Sequence, residues 1–297
     1  MYAFAAGESV EGAVRRIATE QIEEAIGNLT SGAPDLHEGV HEARKRFKKV
    51  RALLRLVRPA LGDRFPAENA RFREFGALLS GVRDAAAMVE CVDGLRRSFP
   101  EPRHAAFLQD LRLAMVERRH RHAEGLHDLG DRVARVLEGL EGARGAVEAW
   151  PLGESGPLLI APGFAVTYRD GRKEMRRAFS TPTDVRFHEW RKRVKDHWYH
   201  VRLLTPLRPR ALRGRSEALK ALSDRLGEEH DLAALGSIIG TGEGGRELPE
   251  GPGPGDGILR FRRTELRREC RKRGRRLYGD PPRVLSSWLG KFWGNPA

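Results

Sequence analysis

Two short segments of the chain concentrate basic side chains that could bind an anion. They are VHEARKRFKKVRALLRLVRP at residues 40–59 and FHEWRKRVKDHWYHVRLLTP at residues 187–206. Guanidinium and ammonium groups match phosphate and carboxylate oxygens, so closely spaced Lys and Arg could hold a polyanion. The whole chain has 54 Lys and Arg against 41 Asp and Glu, a net charge of +13. This positive charge favours a polyanionic partner, but it does not identify which polyanion binds.

The first block places its basic side chains on one face if it is helical. At about 100° per residue, a basic stripe lies beside an apolar stripe. The basic residues are His37, His41, Arg44, Lys48, Arg51, Arg55 and Arg58, and the apolar residues are Ala43, Phe47, Val50, Leu54, Val57 and Leu61. No Asp or Glu occurs between Ala43 and Gly62, so like charges along the helix cost on the order of 1–2 kcal/mol together. An external anion would offset this cost; the alternative interpretation is a solvated charged face.

The second block repeats the first at a constant offset of 147 residues, from His41 to His188. The same offset aligns residues 79–84 with residues 226–231. Trp198 and Thr205 stand where the first copy has Arg51 and Arg58, so the second basic stripe should be weaker. The repeat predicts two copies of one helical unit. The second copy has basic residues His188, Arg191, Lys195 and Arg202 and apolar residues Phe187, Trp190, Val194, Val201 and Leu204.

Helical periodicity also dominates the rest of the chain, and no segment alternates as a β-strand would. One helix should begin after Ser9 as its N-cap, and a second should begin near Asp35 in a capping box with Glu38 and run to Pro59. Gly/Pro-rich segments at 139–163 and 241–257 should be a separator and a loop. Further helices are predicted at 66–97 and 103–140, each broken once, and at 168–239, 258–277 and 282–292.

The pattern H-E-x-R-K-R-x-K in both blocks, followed about 43 residues later by Arg83-Asp84 or His230-Asp231, resembles the CHAD domain, the conserved histidine α-helical domain. The resemblance extends over nearly the whole chain. It implies an all-α fold of two pseudo-symmetric antiparallel helical bundles, residues 1–146 and 147–297, with a basic surface between them that binds inorganic polyphosphate. The binding residues carried over from the motif are His41, Arg44, Lys45 and Lys48 in the first copy and His188, Arg191, Lys192 and Lys195 in the second.

Further residues extend or support this predicted site. Arg51, Arg55 and Arg202 continue the basic stripes on the helical wheel. Arg83, Asp84, His230 and Asp231 would either orient the ligand-binding side chains or form structural ion pairs within a bundle. Phosphate or sulfate ions could occupy the same site as polyphosphate.

Other functions are less well supported by the residues. The pairs His37/His41 and His197/His200 could each share a helix face, but neighbouring Lys and Arg would repel a metal cation, so no metal or other cofactor is expected. The sequence contains no phosphate-binding loop and no nucleophile elbow. It also lacks the E-x-E-x-K motif of the triphosphatase domains that sometimes accompany CHAD domains. These observations predict a protein that is not an enzyme. Nucleic acid is the alternative partner, with Trp198 and Tyr199 as residues that could stack on bases.

The expected location is the cytoplasm, with polyphosphate granules as a candidate site within it. Only Cys91 and Cys270 occur, which fits a reducing compartment. No signal peptide and no apolar stretch of roughly 18 residues is recognisable, so membrane insertion is not expected.

Overall fold

In the computed structural model, the described residues are 2–5, 7–30, 36–80, 84–124, 127–153, 156–241 and 254–281, and every regular element among them is helical. This confirms the all-α prediction. Three short 3₁₀ turns cover Val147–Ala149, Gly156–Leu159 and Thr205–Leu207. The helices are α1 (Val10–Thr30), α2 (Leu36–Leu56), α3 (Arg58–Leu61), α4 (Arg64–Leu78), α5 (Asp84–Ser98), α6 (Pro102–Glu124), α7 (Leu129–Ala146), α8 (Ala161–Ser180), α9 (Asp184–Leu204), α10 (Pro209–Gly240) and α11 (Pro254–Leu277).

The predicted helix boundaries are right in part. The Gly12 amide donates to the Ser9 hydroxyl at 3.0 Å, which confirms Ser9 as the N-cap of α1. Both long segments predicted to break once do so, giving α4 with α5 and α6 with α7. The second helix ends at Leu56 and not at Pro59, because Pro59 lies in the first turn of the short helix α3. Asp35 of the predicted capping box and the predicted helix at 282–292 lie outside the described residues.

The two Gly/Pro-rich segments contain more regular structure than predicted. α7 continues to Ala146 and α8 already begins at Ala161, so 139–163 is helical at both ends. The last residues of the segment 241–257 belong to α11, which begins at Pro254. Residues 242–253 lie outside the described part of the chain. Glycine alone therefore did not stop these helices, since its cost of about 1 kcal/mol is outweighed by packing elsewhere.

The chain forms two compact units, and each takes segments from both predicted halves. The first unit comprises residues 1–79, 130–223 and 273–297, and the second comprises residues 80–129 and 224–272. The division into halves at residue 146 stays a prediction. None of the described helices combines the length and the apolarity needed to cross a bilayer.

The first unit packs α1 against α2, α8 against α9, and α2 against α4, α8 and α9. Both predicted apolar stripes lie in its core, since all eleven residues of these stripes are buried. Gly163 of α8 lies so close to α2 that a Cβ added there would be 1.9 Å from the Leu56 carbonyl oxygen. The helices α2 and α8 therefore make backbone contact, and α2 is fixed between several neighbours.

The second unit has its own apolar core from α5, α6, α10 and α11. The Glu229 carboxylate on α10 is buried and accepts hydrogen bonds from Arg263 and Arg267 of α11. Glu228 accepts from Arg262 in the same way. The buried Glu229 carboxylate and the half-buried Glu228 carboxylate therefore hold α10 to α11 through charge-assisted hydrogen bonds. The buried apolar residues of this core include Met88, Val92, Leu95, Leu108, Leu111, Met115, Leu232, Leu235 and Leu266.

Candidate anion-binding site

The helices α2 and α9, which carry the two basic blocks, cross in the first unit at their C-terminal halves. Buried His200 of α9 donates from Nε2 to the carbonyl oxygen of Ala52 on α2 at 2.7 Å. Burial lowers the pKa of His200 to about 4, so its ring is neutral near pH 7. The crossing buries these helices on several sides, from Ala52 to Leu54 and from Tyr199 to Val201. The exposed basic residues therefore lie on the faces of α2 and α9 that the crossing leaves open to solvent.

The carboxylate of Asp196 lies among guanidinium groups of both helices. Its oxygens are 3.4 Å from Arg55 Nη1 on α2 and 3.3 Å from Arg193 Nη1 on α9. Burial raises the pKa of Asp196, while Arg55 and Arg193 act in the opposite direction. The expectation that the first stripe lacks any compensating acid is therefore wrong for Arg55, because the acid comes from α9 and is 141 residues away in sequence.

Arg51 adds a further cation beside this carboxylate. Its Nε donates to Asn69 Oδ1 on α4 at 3.2 Å, and its backbone carbonyl accepts from Arg55 Nη1 at 3.0 Å. Burial lowers the pKa of Arg51 to about 10, and repulsion by Arg55 is the next cause. Burial is the main cause of this shift, and the repulsion from Arg55 is the part that an added anion would relieve.

A second cationic group gathers around the ring of Tyr2, which precedes α1. Lys49 Nζ lies 5.4 Å from the ring centroid, and the Arg202 guanidinium lies 5.9 Å from it. The Tyr2 hydroxyl donates to the Lys49 carbonyl oxygen at 3.2 Å. Burial, followed by repulsion from Arg46 and Arg202, lowers the pKa of Lys49 to about 8. One aromatic ring thus holds cations from α2 and α9 together.

Four of the predicted binding residues are exposed at the surface: Lys45 and Lys48 on α2, and Lys192 and Arg202 on α9. Lys45 pairs with Glu42 and Lys192 pairs with Glu189, at matching positions of the two blocks. These four side chains could meet a ligand without changing the core.

The other predicted binding residues are half-buried, namely His41, Arg44, His188, Arg191, Lys195, Arg51 and Arg55. Arg44 Nη1 donates to the Leu79 carbonyl oxygen at 3.2 Å, near the end of α4, so Arg44 has a structural contact. Arg191 Nε is buried and has no hydrogen-bond partner within the part of the chain that the structure describes. Burial, then Lys192 and Arg191, lower the pKa of His188.

The role of the predicted supporting residues stays a prediction. Arg83 and the side chain of Asp84 lie outside the described residues. His230 and Asp231 belong to the second unit, so their supporting role stays a prediction. Within that unit, burial raises the pKa of Cys91 to about 12, and the charge of Asp231 contributes to the shift.

Three of the aromatic and histidine residues singled out in the sequence, Tyr199, His197 and His200, are core residues. Tyr199 is buried against Tyr2, with ring centroids 5.8 Å apart, so the interpretation of Tyr199 as a base-stacking residue is wrong. Trp198 is half-buried and lies 5.8 Å from the Arg202 guanidinium. His197 is fully buried and accepts from Arg215 Nη2 at 3.5 Å.

Five residues of the candidate site were not selected from the sequence. Arg46 and Arg193 occupy matching positions of the two blocks, so the repeat itself was a usable signal. Lys49 and Asp196 also occupy matching positions but carry opposite charges. Tyr2 offered no signal, because its role depends on packing against residues far along the chain.

The comparisons with known proteins agree with this fold. The family model of the CHAD domain matches residues 16–239, a range that includes both basic helices. The crystal structure of the CHAD domain from the plant Ricinus communis is similar with a TM-score of 0.62 at 19% identity, covering 97% of this chain and 94% of that chain. PptA from Streptomyces chartreusis is similar with a TM-score of 0.55 at 13% identity, covering 96% of this chain and 100% of that chain. Comparison with curated proteins found no match. Because the family model covers well over half of the sequence, the chain belongs to the CHAD domain family.

Proposed function

We propose that this protein binds inorganic polyphosphate through the basic faces of α2 and α9, and that it does so without catalysing a reaction. The observation that carries the proposal is the crowding of cations where these helices pack. Arg51, Arg55 and Arg193 surround the Asp196 carboxylate, and Lys49 and Arg202 share the ring of Tyr2. In sequence, the two helices carry 13 Lys and Arg against 5 Asp and Glu. An added polyanion would relieve this repulsion.

A flexible chain of phosphates suits such an arrangement. Side chains three or four residues apart on a helix are separated by about 5–6 Å, so successive phosphates can contact successive cations. Membership of the CHAD domain family is consistent with polyphosphate-related binding. A protein that binds in this way would gather at cytoplasmic polyphosphate granules, which a fluorescent fusion would reveal.

The acidic residues near these cations support binding over catalysis. Glu42 is paired with Lys45, Glu189 with Lys192, and Asp196 with Arg55. Against the effect of burial, hydrogen bonds from Lys45 and Lys192 lower the pKa of Glu42 and Glu189, so these two carboxylates are weak bases. Asp196 is buried between two guanidinium groups, which leaves it poorly placed to activate water for phosphate hydrolysis. We therefore expect no phosphate release from polyphosphate or from nucleoside triphosphates.

The test compares two fourfold variants that change the net charge equally. The first replaces Lys45, Lys48, Lys192 and Arg202 by Gln, since these exposed side chains can be changed without disturbing the core. The matched control also introduces Gln, at four exposed positions of the same unit that lie outside α2 and α9. These positions are Arg135, Lys173, Arg176 and Arg213.

Polyphosphate affinity is measured against salt concentration for both variants. If four phosphate contacts are lost, the slope of log affinity against log salt should fall by about 3, and affinity in about 0.1 M salt should fall by about 10²–10³-fold. The control should stay close to the unmodified protein. Equal affinity of the two variants would place the site elsewhere.

Competition by single-stranded RNA at equal total charge tests the alternative partner, and displacement of polyphosphate by RNA would favour nucleic-acid binding.

A further inference from the structure

Lys49 is an amine with surroundings that favour a reaction and not only anion binding. Its side chain is partly exposed, and its Nζ lies over the Tyr2 ring. The exposed guanidinium of Arg202 lies over the same ring and also over Trp198, at 5.9 and 5.8 Å from the centroids. The two cations thus share one ring, with Arg202 as an exposed phosphate-binding group near the Lys49 amine.

The charged groups around Lys49 come from three helices. Arg46 and Glu42 lie on α2 with Lys49, Arg202 lies on α9, and Glu24 lies on α1. Glu24 is bound to Arg46, with 2.5 Å between Oε2 and Nη1, so its charge is shared with that guanidinium. Partial burial, followed by the two arginines, outweighs the two acids and lowers the pKa of Lys49 to about 8.

A lysine in this state is a nucleophile at mildly alkaline pH. At pH 8 about half of Lys49 would be neutral, compared with less than about 1% of an ordinary lysine. Only the neutral amine has the lone pair that attacks an electrophile. A lower pKa also weakens the intrinsic nucleophilicity, by analogy with thiols, so the net gain in rate is on the order of tenfold.

We propose that Lys49 is a site of acylation by acyl phosphates, with Arg202 binding the phosphate group of the reagent. The Lys49 Nζ lone pair attacks the carbonyl carbon and forms the C–N bond of an amide. The bond between that carbon and the phosphate oxygen breaks, phosphate leaves with the electron pair, and Nζ loses a proton to solvent. The reaction needs no oxidant, reductant or further reactant.

Acylation would also change the candidate site, a consequence that rests on the proposed function. The amide has no charge, so acylated Lys49 no longer contributes a cation beside Arg202. Polyphosphate affinity should then fall, and bound polyphosphate should in turn shield Lys49 from the reagent.

The experiment treats the full chain with acetyl phosphate at pH 8, without polyphosphate, and follows each lysine by peptide mass spectrometry. Lys49 should be acetylated about tenfold faster than Lys173, an exposed lysine on α8. A Lys49 rate no higher than the Lys173 rate would overturn the proposal. Because polyphosphate is omitted, this result is independent of the binding test above.

The role of Arg202 is tested with a second reagent that lacks a phosphate, N-hydroxysuccinimide acetate. Replacing Arg202 by Gln also removes a like charge from Lys49, and this reagent reports that effect alone. The ratio of the two rates, acetyl phosphate over the succinimide ester, should fall several-fold in Arg202→Gln. An unchanged ratio would show that Arg202 does not bind the phosphate and would overturn that part of the proposal.

Discussion

Raising the pH from 7 to 9 should weaken polyphosphate binding, because Lys49 loses its proton in the free protein. Burial and the neighbouring Arg46 and Arg202 lower the pKa of Lys49 from 10.5 to about 8. A bound polyanion would counter the repulsion, so the pKa in the complex should rise toward its ordinary value. Binding then takes up a proton above pH 8, and affinity falls as the pH rises through that value.

The size of the effect follows from these two pKa values. If the pKa rises fully from about 8 to 10.5, affinity at pH 9 should be about tenfold weaker than at pH 7. The number of protons taken up per binding event should rise from about 0.1 at pH 7 to about 0.9 at pH 9. A smaller rise of the pKa in the complex would reduce both effects.

Isothermal titration calorimetry at pH 9, in two buffers with different heats of ionisation, measures the proton uptake directly. Long polyphosphate chains keep the contribution of titrating terminal phosphates small. The control variant is Lys49→Arg, which keeps the positive charge but does not titrate in this range. It should retain its affinity at pH 9 and lose the linked proton. Equal proton uptake in both proteins, or none in the unmodified protein, would refute the reasoning.

Two further predictions concern the packing that holds α2 in place. Gly163→Ala should destabilise the protein by about 3 kcal/mol or more, since its Cβ would lie 1.9 Å from the Leu56 carbonyl oxygen. The control Gly142→Ala in α7, whose Cβ would meet nothing within 4 Å, should be neutral or stabilising by about 0.5–1 kcal/mol in urea unfolding. Between pH 6.5 and 4 the protein should lose up to about 3 kcal/mol through His200, because its lowered pKa lets the unfolded chain take up the proton first. His200→Gln, which can still donate to Ala52, should show a shallower loss in urea titrations over that pH range, and an unchanged loss would exclude His200 as a source.

The sequence predicted the helices and their buried faces well, because both depend on local periodicity. Phe47 and Trp190 recur with their apolar neighbours at helical spacing, and such spacing leaves one face for the core. The end of α2 was harder, since it depends on where Pro59 enters the next helix. The hydrogen bond between His200 and Ala52 could not be predicted, because no local pattern specifies which helices cross.

The candidate site was predicted at the level of helices but not of contacts. The repeat identified α2 and α9 and the exposed cations Lys48 and Lys192. A helical wheel treats each helix alone, so it counted Arg55 as uncompensated although Asp196 reaches it from α9. Tyr2 was missed for the same reason, since its partners are brought to it only by the fold.

Lys49 and Asp196 occupy matching positions of the two blocks but carry opposite charges. This difference changes the prediction of which block binds a polyanion more strongly. Arg55 and Arg202 are equivalent in the two blocks, and on the sequence alone the first block should bind more strongly. In the folded chain Arg55 is half-buried against Asp196, whereas Arg202 is exposed and shares the Tyr2 ring with Lys49. An arginine already paired with a carboxylate gains less from a phosphate than one beside another cation. Arg202 is therefore better placed than Arg55 to bind a polyanion, although it belongs to the second block, which has fewer cations.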